Sequence, residues 1–235
     1  MRHYKNLIFD LDDTLLDFQD NERNSLEVIF NKYGIPFEEK TINEYKTINR
    51  GFWSKIEKGL IDKEEALSKR FEDFFALYGY DIDGKEVERD YQDCLTRGHK
   101  ILPMSMEVLK ELRDRGYKIF AGTNGVGRTQ HQRLKDSKMG ELFDDVFISE
   151  EMGVEKPNIE FFKIIFDKYD FLSKEDTLMI GDNLASDIKG ANNFGIDCVW
   201  FNPMGKDRNG VAVTYEIKEL VELLEILKKE ALVTA

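Results

Sequence analysis

Five short apolar runs, rich in β-branched and aromatic residues, constrain the fold most. They are NLIFD (6–10), KIFAGTN (118–124), DVFIS (145–149), TLMIGD (177–182) and CVWF (198–201). Segments with helical periodicity lie between the later runs, and a C-terminal helix is marked by Ile217, Leu220, Val221, Leu224 and Leu227. Alternation of strands and helices is typical of βαβ units. It predicts an α/β fold, a doubly wound parallel sheet covered by helices on both faces.

Residues 17–102 depart from this alternation, because they contain four segments with helical periodicity and no strand pattern. The segments are separated by Gly34, Pro36, Gly59, Gly79 and Gly84. We therefore predict an α/β core of residues 1–16 and 103–235, with an all-helical domain of residues 17–102 inserted after the first strand. Open α/β sheets bind ligands at the carboxyl ends of their strands. An insertion at that point is suited to close over a site as a cap.

The composition limits the classes of function. The net charge of -12 over 235 residues disfavours binding to a nucleic acid polymer, which needs clustered basic residues. The two cysteines, Cys94 and Cys198, lack metal-ligand spacing and are interpreted as reduced thiols. We find neither a signal-peptide pattern nor an apolar run of roughly 18 residues, the length of a membrane span, so we expect a cytoplasmic protein with no membrane partner. The sequence leaves the oligomeric state open, as monomer or dimer.

Polar residues whose side chains could take part in catalysis or metal binding follow the predicted strands. They are Asp10 and Asp12 after the first, Thr123 and Asn124 after the second, Lys156 before a helix, Asp182 after the fourth, and Asp187 about one turn into the next helix. Each residue alone is more often part of a turn or a helix cap. Because the carboxyl ends of parallel strands share one edge of a sheet, their joint occurrence predicts a single site.

The chemistry of this set favours phosphoryl transfer. Several carboxylates in one cleft repel one another unless cations accompany them, and Mg²⁺ prefers carboxylate, water and phosphate oxygens. Lys156 adds a positive charge, Thr123 adds a hydroxyl, and the turn at Asn124–Gly125 offers backbone N–H groups suited to phosphate. Charge neutralisation and positioning of this kind dominate phosphoryl transfer.

These residues resemble the four motifs of the haloacid dehalogenase (HAD) superfamily over essentially the full chain. DLDDT (10–14) resembles the motif DxDxT, Thr123 and Lys156 resemble the second and third motifs, and GDNLASD (181–187) resembles GDxxxxD. The motifs occur in the family's order. The helical insert lies between the first and second motifs, where the family places its C1-type cap.

The resemblance implies a Mg²⁺-dependent phosphomonoester hydrolase with an aspartyl-phosphate intermediate, and it implies that the fourth strand lies beside the first. Asp10 would be the nucleophile and a metal ligand. Asp12 would be the general acid and then the base, and its backbone carbonyl would bind the metal. The remaining roles implied are metal binding by Asp182, phosphate binding by Thr123, Asn124 and Lys156, and support from Thr14 and Asp187, the latter orienting metal-bound water or Lys156.

Two other classes share part of this pattern. Dehalogenases of the superfamily lack the second acid of the first motif, because a halide needs no proton, so Asp12 favours phosphoester hydrolysis. Receiver-type phosphoacceptor domains also combine acids, a hydroxyl, a lysine and Mg²⁺, but they are about half as long and have no cap. Asp13 is interpreted as part of the local turn.

The insert resembles the branch of pyrimidine 5′-nucleotidases that act on noncanonical nucleotides. The resemblance rests on Asn49, Trp53, Gly59, Ile61, Arg70 and Phe71. It implies a small phosphorylated substrate, a (deoxy)pyrimidine nucleoside monophosphate, whose base would be contacted by Asn49, Arg50 or Trp53. Phe52, Trp53, Phe71, Phe74 and Phe75 are also the composition of an ordinary helix core. A sugar-phosphate phosphatase, a phosphoglycolate phosphatase and a phosphomutase remain alternatives.

The three histidines, His3, His99 and His131, have neither ligand spacing nor the spacing of a catalytic triad. The polar stretch RTQHQRLK (128–135) around His131 is interpreted as a solvated helix face.

Overall fold

The structure, a computed structural model, describes residues 3–232. Its strands are β1 (Asn6–Phe9), β2 (Lys118–Thr123), β3 (Asp145–Ile148), β4 (Thr177–Gly181), β5 (Asp197–Phe201) and β6 (Tyr215–Ile217). All pairings between them are parallel, and the order across the sheet is β3-β2-β1-β4-β5-β6. The expected doubly wound parallel sheet is confirmed.

β1 lies at the centre of the sheet, between β2 and β4. Leu7 pairs with Ile119 on one side and with Leu178 on the other. Alternate residues of β1 enter different apolar clusters, since Leu7 belongs to one and Ile8 to the other. A strand buried on both faces needs a continuous apolar run, and this explains the three successive apolar residues of NLIF.

Helices cover both faces of the sheet. In this part of the chain they are α5 (Ser105–Asp114), α6 (Gly127–Asp136), α7 (Ser149–Met152), α8 (Ile159–Lys168), α9 (Lys189–Phe194) and α10 (Glu222–Leu232), with a π turn at Leu184–Ile188 and a 3₁₀ turn at Gly140–Leu142. The cluster around Leu7 contains side chains of α5 and α10, such as Leu109 and Leu223. The cluster around Ile8 contains side chains of α8 and α9, such as Phe161 and Ala191.

The sequence pattern missed β6 and started the last helix too early. Ile217 lies in β6 and pairs with Phe201, whereas α10 begins at Glu222. Ile217 and Leu220 are both buried in the sheet cluster, so their helix-like spacing reflects packing of a strand and a turn against one core. A strand of three residues is too short to show alternation.

The chain divides into two compact units, residues 1–17 with 100–235 and residues 18–99. The sequence predicts these boundaries at 16/17 and 102/103. They differ because the two connections bond to each other within the α/β unit: Asp17 N donates to Lys100 O at 2.9 Å, and Leu102 N donates to Leu15 O at 2.9 Å.

The unit of residues 18–99 contains α1 (Phe18–Tyr33), α2 (Glu39–Glu57), α3 (Lys63–Ala76) and α4 (Gly84–Leu95). Its core is aromatic: Phe71, Phe74 and Phe75 are fully buried, and Phe52 is buried in a smaller cluster. Within residues 3–232, no helix combines the length and apolar character that a membrane span requires.

Candidate active site

Asp10 and Asp12 lie in the turn that directly follows β1. Asp10 N donates to Ile180 O at 2.8 Å, which extends the pairing of β1 with β4 by one residue. The chain then turns at Asp13, which has a left-handed backbone with φ of 60° and donates its N–H to Leu16 O at 2.8 Å. Aspartate tolerates this conformation better than most residues. Asp13 thus closes the turn that presents the other two acids.

A buried lysine connects Asp10 to two other segments. Lys156 Nζ donates to Asp10 Oδ1 at 2.8 Å, to Asp187 Oδ1 at 2.7 Å and to Gly122 O at 2.6 Å. These three acceptors use all three ammonium hydrogens. The Lys156 side chain is only 1% exposed, so its position is fixed by this set of contacts.

The side chain of Asn124 holds the backbone of Lys156. Asn124 Oδ1 accepts from Lys156 N at 2.9 Å, and Asn124 Nδ2 donates to Lys156 O at 2.9 Å. The sequence predicts that Asn124 binds phosphate. In the structure its side-chain amide bonds to the lysine backbone, so a contribution to an anion would come from the N–H groups of the turn.

Thr123 ends β2 beside this lysine, with its hydroxyl oriented by two donors. Gly125 N donates to Thr123 Oγ1 at 3.1 Å, and Gln130 Nε2 donates to it at 2.9 Å. Both acceptor positions of the hydroxyl are thereby occupied, and its own hydrogen is directed elsewhere. A hydroxyl constrained to donate is suited to an anion. Thr14, fully buried, has its Oγ1 3.5 Å from Asp10 Oδ2.

Asp182 and Asp187 follow β4. The backbone oxygen of Asp182 accepts from Trp200 Nε1 at 2.8 Å, and Asp187 Oδ2 accepts from Asn183 N at 3.0 Å. Carboxylate oxygens of Asp10, Asp182 and Asp187 all lie within 4.8 Å of one another. The two acids that follow β4 therefore form one cluster with Asp10, which follows β1, at the carboxyl edge of the sheet.

The cluster carries more negative charge than its lysine neutralises. Burial raises the pKa of Asp10 to about 8, with Asp187 and Asp12 adding to the rise and Lys156 opposing it. Burial, followed by Asp187 and Asp10, raises the pKa of Asp182 well above its ordinary value. Burial alone would lower the pKa of Lys156, but the two carboxylates outweigh it and raise that pKa.

A divalent cation fits these residues. The cluster of Asp10, Asp182 and Asp187 carries three negative charges when ionised, against one positive charge on Lys156. The excess of two charges equals that of a hard divalent ion, and every donor atom is an oxygen. Burial is the main cause of the raised pKa of Asp10, and the neighbouring carboxylates, which such an ion would balance, add to it.

Two functional candidates were missed by the sequence analysis, Gln130 and Arg133 of α6. Gln130 Nε2 donates to Asp12 Oδ2 at 2.9 Å, and Arg133 Nη1 forms an ion pair with Asp12 Oδ1. Both residues are 1% exposed. The stretch RTQHQRLK is therefore not a solvated face throughout, although His131 itself is exposed.

A signal for these residues was present in the sequence. Leu134 is the only large apolar residue among the ten residues of α6. A helix that follows a buried strand of a covered sheet must turn some face inward, so the inward face here has to be polar. Gln130 and Arg133, three residues apart, lie on that face.

The expected substrate contacts of the insert differ in their surroundings. Asn49 is buried, with Nδ2 donating to Glu22 Oε1 at 3.2 Å and Oδ1 accepting from Arg70 Nη1 at 2.6 Å. Its amide thus joins a polar network inside the helical unit. Arg50 is exposed, and its Nε donates to Lys46 O at 3.3 Å. Trp53 is partly buried against the cluster of Phe52, Ile56 and Ala66.

Comparison with known proteins gives the family. The model of the haloacid dehalogenase-like hydrolases matches residues 4–195. The HAD-hydrolase YfnB of Bacillus subtilis is 38% identical over 231 residues, covering 98% of each chain. A crystal structure of YfnB bound to magnesium has a TM-score of 0.92 and covers 97% of this chain and 100% of its own. The pyrimidine 5′-nucleotidase PynA of Streptococcus pneumoniae is 36% identical over 230 residues, 97% of each chain.

The chain belongs to the haloacid dehalogenase-like hydrolases. It is an enzyme, a HAD-type phosphatase, and the resemblance drawn from its motifs is confirmed. The inserted helical domain, expected from the position of the insert, is part of the same fold.

Proposed function

We propose that the protein is a Mg²⁺-dependent phosphomonoester hydrolase that works through an aspartyl-phosphate, with pyrimidine nucleoside monophosphates as substrates. The observation that carries the proposal is the bonding of Lys156 Nζ to both Asp10 and Asp187 within the three-acid cluster. That arrangement keeps one Asp10 oxygen fixed. The second oxygen, Asp10 Oδ2, is left to attack, with the Thr14 hydroxyl 3.5 Å from it.

In the first step, Asp10 attacks the phosphorus atom of the ester. The new bond joins an Asp10 carboxylate oxygen to phosphorus, and the bond from phosphorus to the ester oxygen breaks with its electron pair on that oxygen. Asp12 gives its proton to the leaving oxygen, which departs as an alcohol. The Thr123 hydroxyl holds a phosphoryl oxygen, and Lys156, whose three hydrogens bond to Asp10, Asp187 and Gly122 O, offsets the rising charge on the phosphoryl oxygens by its own positive charge.

In the second step, water removes the phosphoryl group from Asp10. The Asp12 carboxylate accepts a proton from the water as its oxygen bonds to phosphorus. The acyl phosphate bond breaks, its electrons return to the Asp10 carboxylate, and inorganic phosphate leaves. Asp12 ends the cycle protonated, as it began, because it lost one proton and gained another.

Mg²⁺ would be held by the carboxylates of Asp10 and Asp182 and by the backbone carbonyl of Asp12. When bound, it would neutralise the acids and withdraw charge from the phosphoryl oxygens. Asp187 is better suited to orient Lys156 than to bind the ion, because its two oxygens accept from Lys156 Nζ and Asn183 N.

The substrate class rests on the relatives. PynA, a pyrimidine 5′-nucleotidase by name, is aligned with this chain over nearly the full length of both, so the similarity includes the helical insert. Within that insert, Arg50 and Trp53 have exposed surface, whereas the Asn49 amide is bonded to Glu22 and Arg70. Of the three expected contacts, Arg50 and Trp53 therefore remain the better candidates for the base.

A phosphate-release screen with Mg²⁺ tests the substrate. The panel contains dUMP, dTMP, UMP, purine monophosphates, sugar phosphates and phosphoglycolate. We expect the highest kcat/KM for a pyrimidine nucleotide. A preference for a sugar phosphate or phosphoglycolate would reassign the substrate, and transfer of phosphate to a second sugar would indicate a phosphomutase.

Asp10→Asn tests the mechanism, with Asp13→Asn as the matched control three residues away. We expect the first variant to lose activity by about 10⁴-fold or more, as loss of a nucleophile does in other enzymes. The control should retain activity near that of the wild type. Both should keep the wild-type melting temperature at pH 6. Activity near the wild type in Asp10→Asn would exclude this residue as the nucleophile.

Removal of the metal tests the cofactor. We expect EDTA to abolish phosphate release and added Mg²⁺ to restore it, because the acid cluster repels an anionic substrate unless a cation balances it. Full activity in EDTA would contradict the assignment.

A further inference from the structure

Gln130 and Arg133 form a closed set of hydrogen bonds with two residues of the proposed mechanism. Arg133 Nη1 donates to Asp12 Oδ1 and, at 2.8 Å, to Gln130 Oε1. Gln130 Nε2 donates to Asp12 Oδ2 at 2.9 Å and to Thr123 Oγ1 at 2.9 Å. The two nitrogen atoms carry four hydrogens between them, and these four acceptors use all four.

The orientation of the Gln130 amide follows from its partner. Arginine can only donate, so the atom of Gln130 that faces Arg133 has to be the oxygen. The Gln130 nitrogen is thereby turned towards Asp12 and Thr123. Arg133 thus controls Gln130 as well as Asp12, and the two residues act as a unit.

Gln130 and Arg133 are shielded from water, and the absence of a side chain at Gly125 leaves space for Gln130. Gln130 and Arg133 are each 1% exposed. A Cβ atom on Gly125 would lie 2.5 Å from Gln130 Nε2 and 2.6 Å from Gln130 Cγ. The side chain of Gln130 therefore occupies space that exists because residue 125 is glycine.

Asp12 is held on both oxygens. One donor on each oxygen fixes the rotation of the carboxyl group about its Cβ–Cγ bond, and each oxygen keeps a second lone pair that can carry a proton. The other end of the unit is Thr123, whose hydroxyl is oriented by the same Gln130 nitrogen. One side chain thus sets the distance between the proton carrier and the phosphate-binding hydroxyl.

From this geometry we infer that Gln130 and Arg133 are positioning residues: they hold the Asp12 carboxyl in place for proton transfer to the leaving oxygen and from the attacking water. The inference rests on the proposed function of the site. Both residues bond to Asp12, Gln130 bonds also to Thr123, and the two act on the reaction only through these partners.

Leaving-group dependence tests the inference, because only a poor leaving group needs the Asp12 proton. The variants are Gln130→Met and Arg133→Met, and the substrates are dTMP, with an alkoxide leaving group, and p-nitrophenyl phosphate, with a good one. We expect kcat/KM to fall about 30-fold or more for dTMP and less than about 5-fold for p-nitrophenyl phosphate, within the range that general acid catalysis contributes.

The second step supplies an independent readout. Water attack on the aspartyl-phosphate needs Asp12 as base whichever group has left. With p-nitrophenyl phosphate, the two variants should therefore show a burst of p-nitrophenol equal to the enzyme concentration, followed by a slow steady state. A loss of folding would lower burst and steady state together.

Gln132→Met is the matched control, since Gln132 bonds to Asp136 on the outer side of the same helix. It should leave both substrates unchanged. Arg133→Lys, which keeps the charge and a donor, should recover part of the dTMP activity. If Arg133→Met does not fold, Arg133→Lys takes its place in the comparison.

Two results would overturn the inference. One is an equal fall of kcat/KM for both substrates without a burst. The other is dTMP activity in Gln130→Met and Arg133→Lys equal to that of the Gln132→Met control. Failure of the proposed phosphomonoester hydrolysis is recognised separately, because the wild-type enzyme would then release phosphate from neither substrate, and a different substrate class is recognised in the phosphate-release screen.

Discussion

Replacing Lys156 by methionine would remove the cation between two buried acids while keeping a side chain of similar length. Asp10 and Asp187 would lose a donor at 2.8 and 2.7 Å, and Gly122 O would lose one at 2.6 Å. The cluster would then hold one more negative charge than before. The least costly response of a buried carboxylate is to take up a proton.

The cost of that proton gives the magnitude. The pKa of an aspartate in the unfolded chain is about 3.9, so at pH 7 it must be protonated about three pH units above its pKa. Each unit costs about 1.4 kcal/mol. The free energy of unfolding should therefore fall by about 4 kcal/mol at pH 7, within the range of about 3–5 kcal/mol known for broken buried pairs. At pH 5 the same reasoning gives about 1.5 kcal/mol.

Denaturant unfolding in EDTA, followed by Trp200 fluorescence, measures the effect. Trp200 is buried in β5, and Trp53→Phe as the background removes the only other tryptophan. Lys163→Met is the matched control, because Lys163 is 55% exposed and pairs with Glu160 on the surface. Surface pairs contribute about 0–1 kcal/mol. A loss below about 1 kcal/mol at pH 7, or an equal loss at both pH values, would refute the reasoning.

Three further predictions concern the metal, a glycine beside Asp187 and an ion pair of the helical unit. At pH values between the pKa of Asp10 in the unfolded chain and about 8, Asp10 is protonated in the folded protein and ionised in the unfolded chain. The free energy of unfolding of the metal-free protein should therefore fall as the pH rises through this range. Mg²⁺ should therefore raise Tm more at pH 8.5 than at pH 5.5, and equal shifts would argue against the site. Gly181→Ala would place a Cβ 2.3 Å from Asp187 Oδ2 and should lower kcat by about 100-fold. Gly51→Ala, with open space around it, is the control and should leave kcat unchanged. Arg70→Met would leave the Glu88 carboxylate of the helical unit without its buried partner and should lower the free energy of unfolding by about 3–5 kcal/mol. Denaturant unfolding followed by Trp53 fluorescence measures this loss, and an unchanged unfolding midpoint would contradict it.

The parts of the fold visible in the sequence are those with local causes. β1 is buried on both faces and therefore reads as an unbroken apolar run, and the acids after it stand out because nothing in a strand requires them. The four helices of the insert have repeating apolar positions and glycines between them. These features depend on residues that are close together in the chain, so they can be predicted from the sequence.

The parts that were missed have distant causes. β6 has three residues and exists because β5 offers it a parallel partner. Gln130 and Arg133 of α6 are buried because they bond to Asp12 in the turn after β1 and to Thr123 at the end of β2. The amide of Asn49, predicted as one of three contacts to the base, bonds to Glu22 and Arg70 on other helices. A polar side chain has no periodicity that indicates whether its partner is water, protein or ligand.

The central place of β1 has a consequence for synthesis of the chain. β1 ends at Phe9, whereas β2 begins at Lys118 and β4 at Thr177, so the strand leaves the ribosome more than 100 residues before either partner. At about 5–20 residues per second the wait is on the order of ten seconds. An unpaired apolar strand is prone to aggregate, and flanking charges oppose this. We expect Asp10, Asp12 and Asp13 to keep β1 in solution during that interval, long before any substrate can bind.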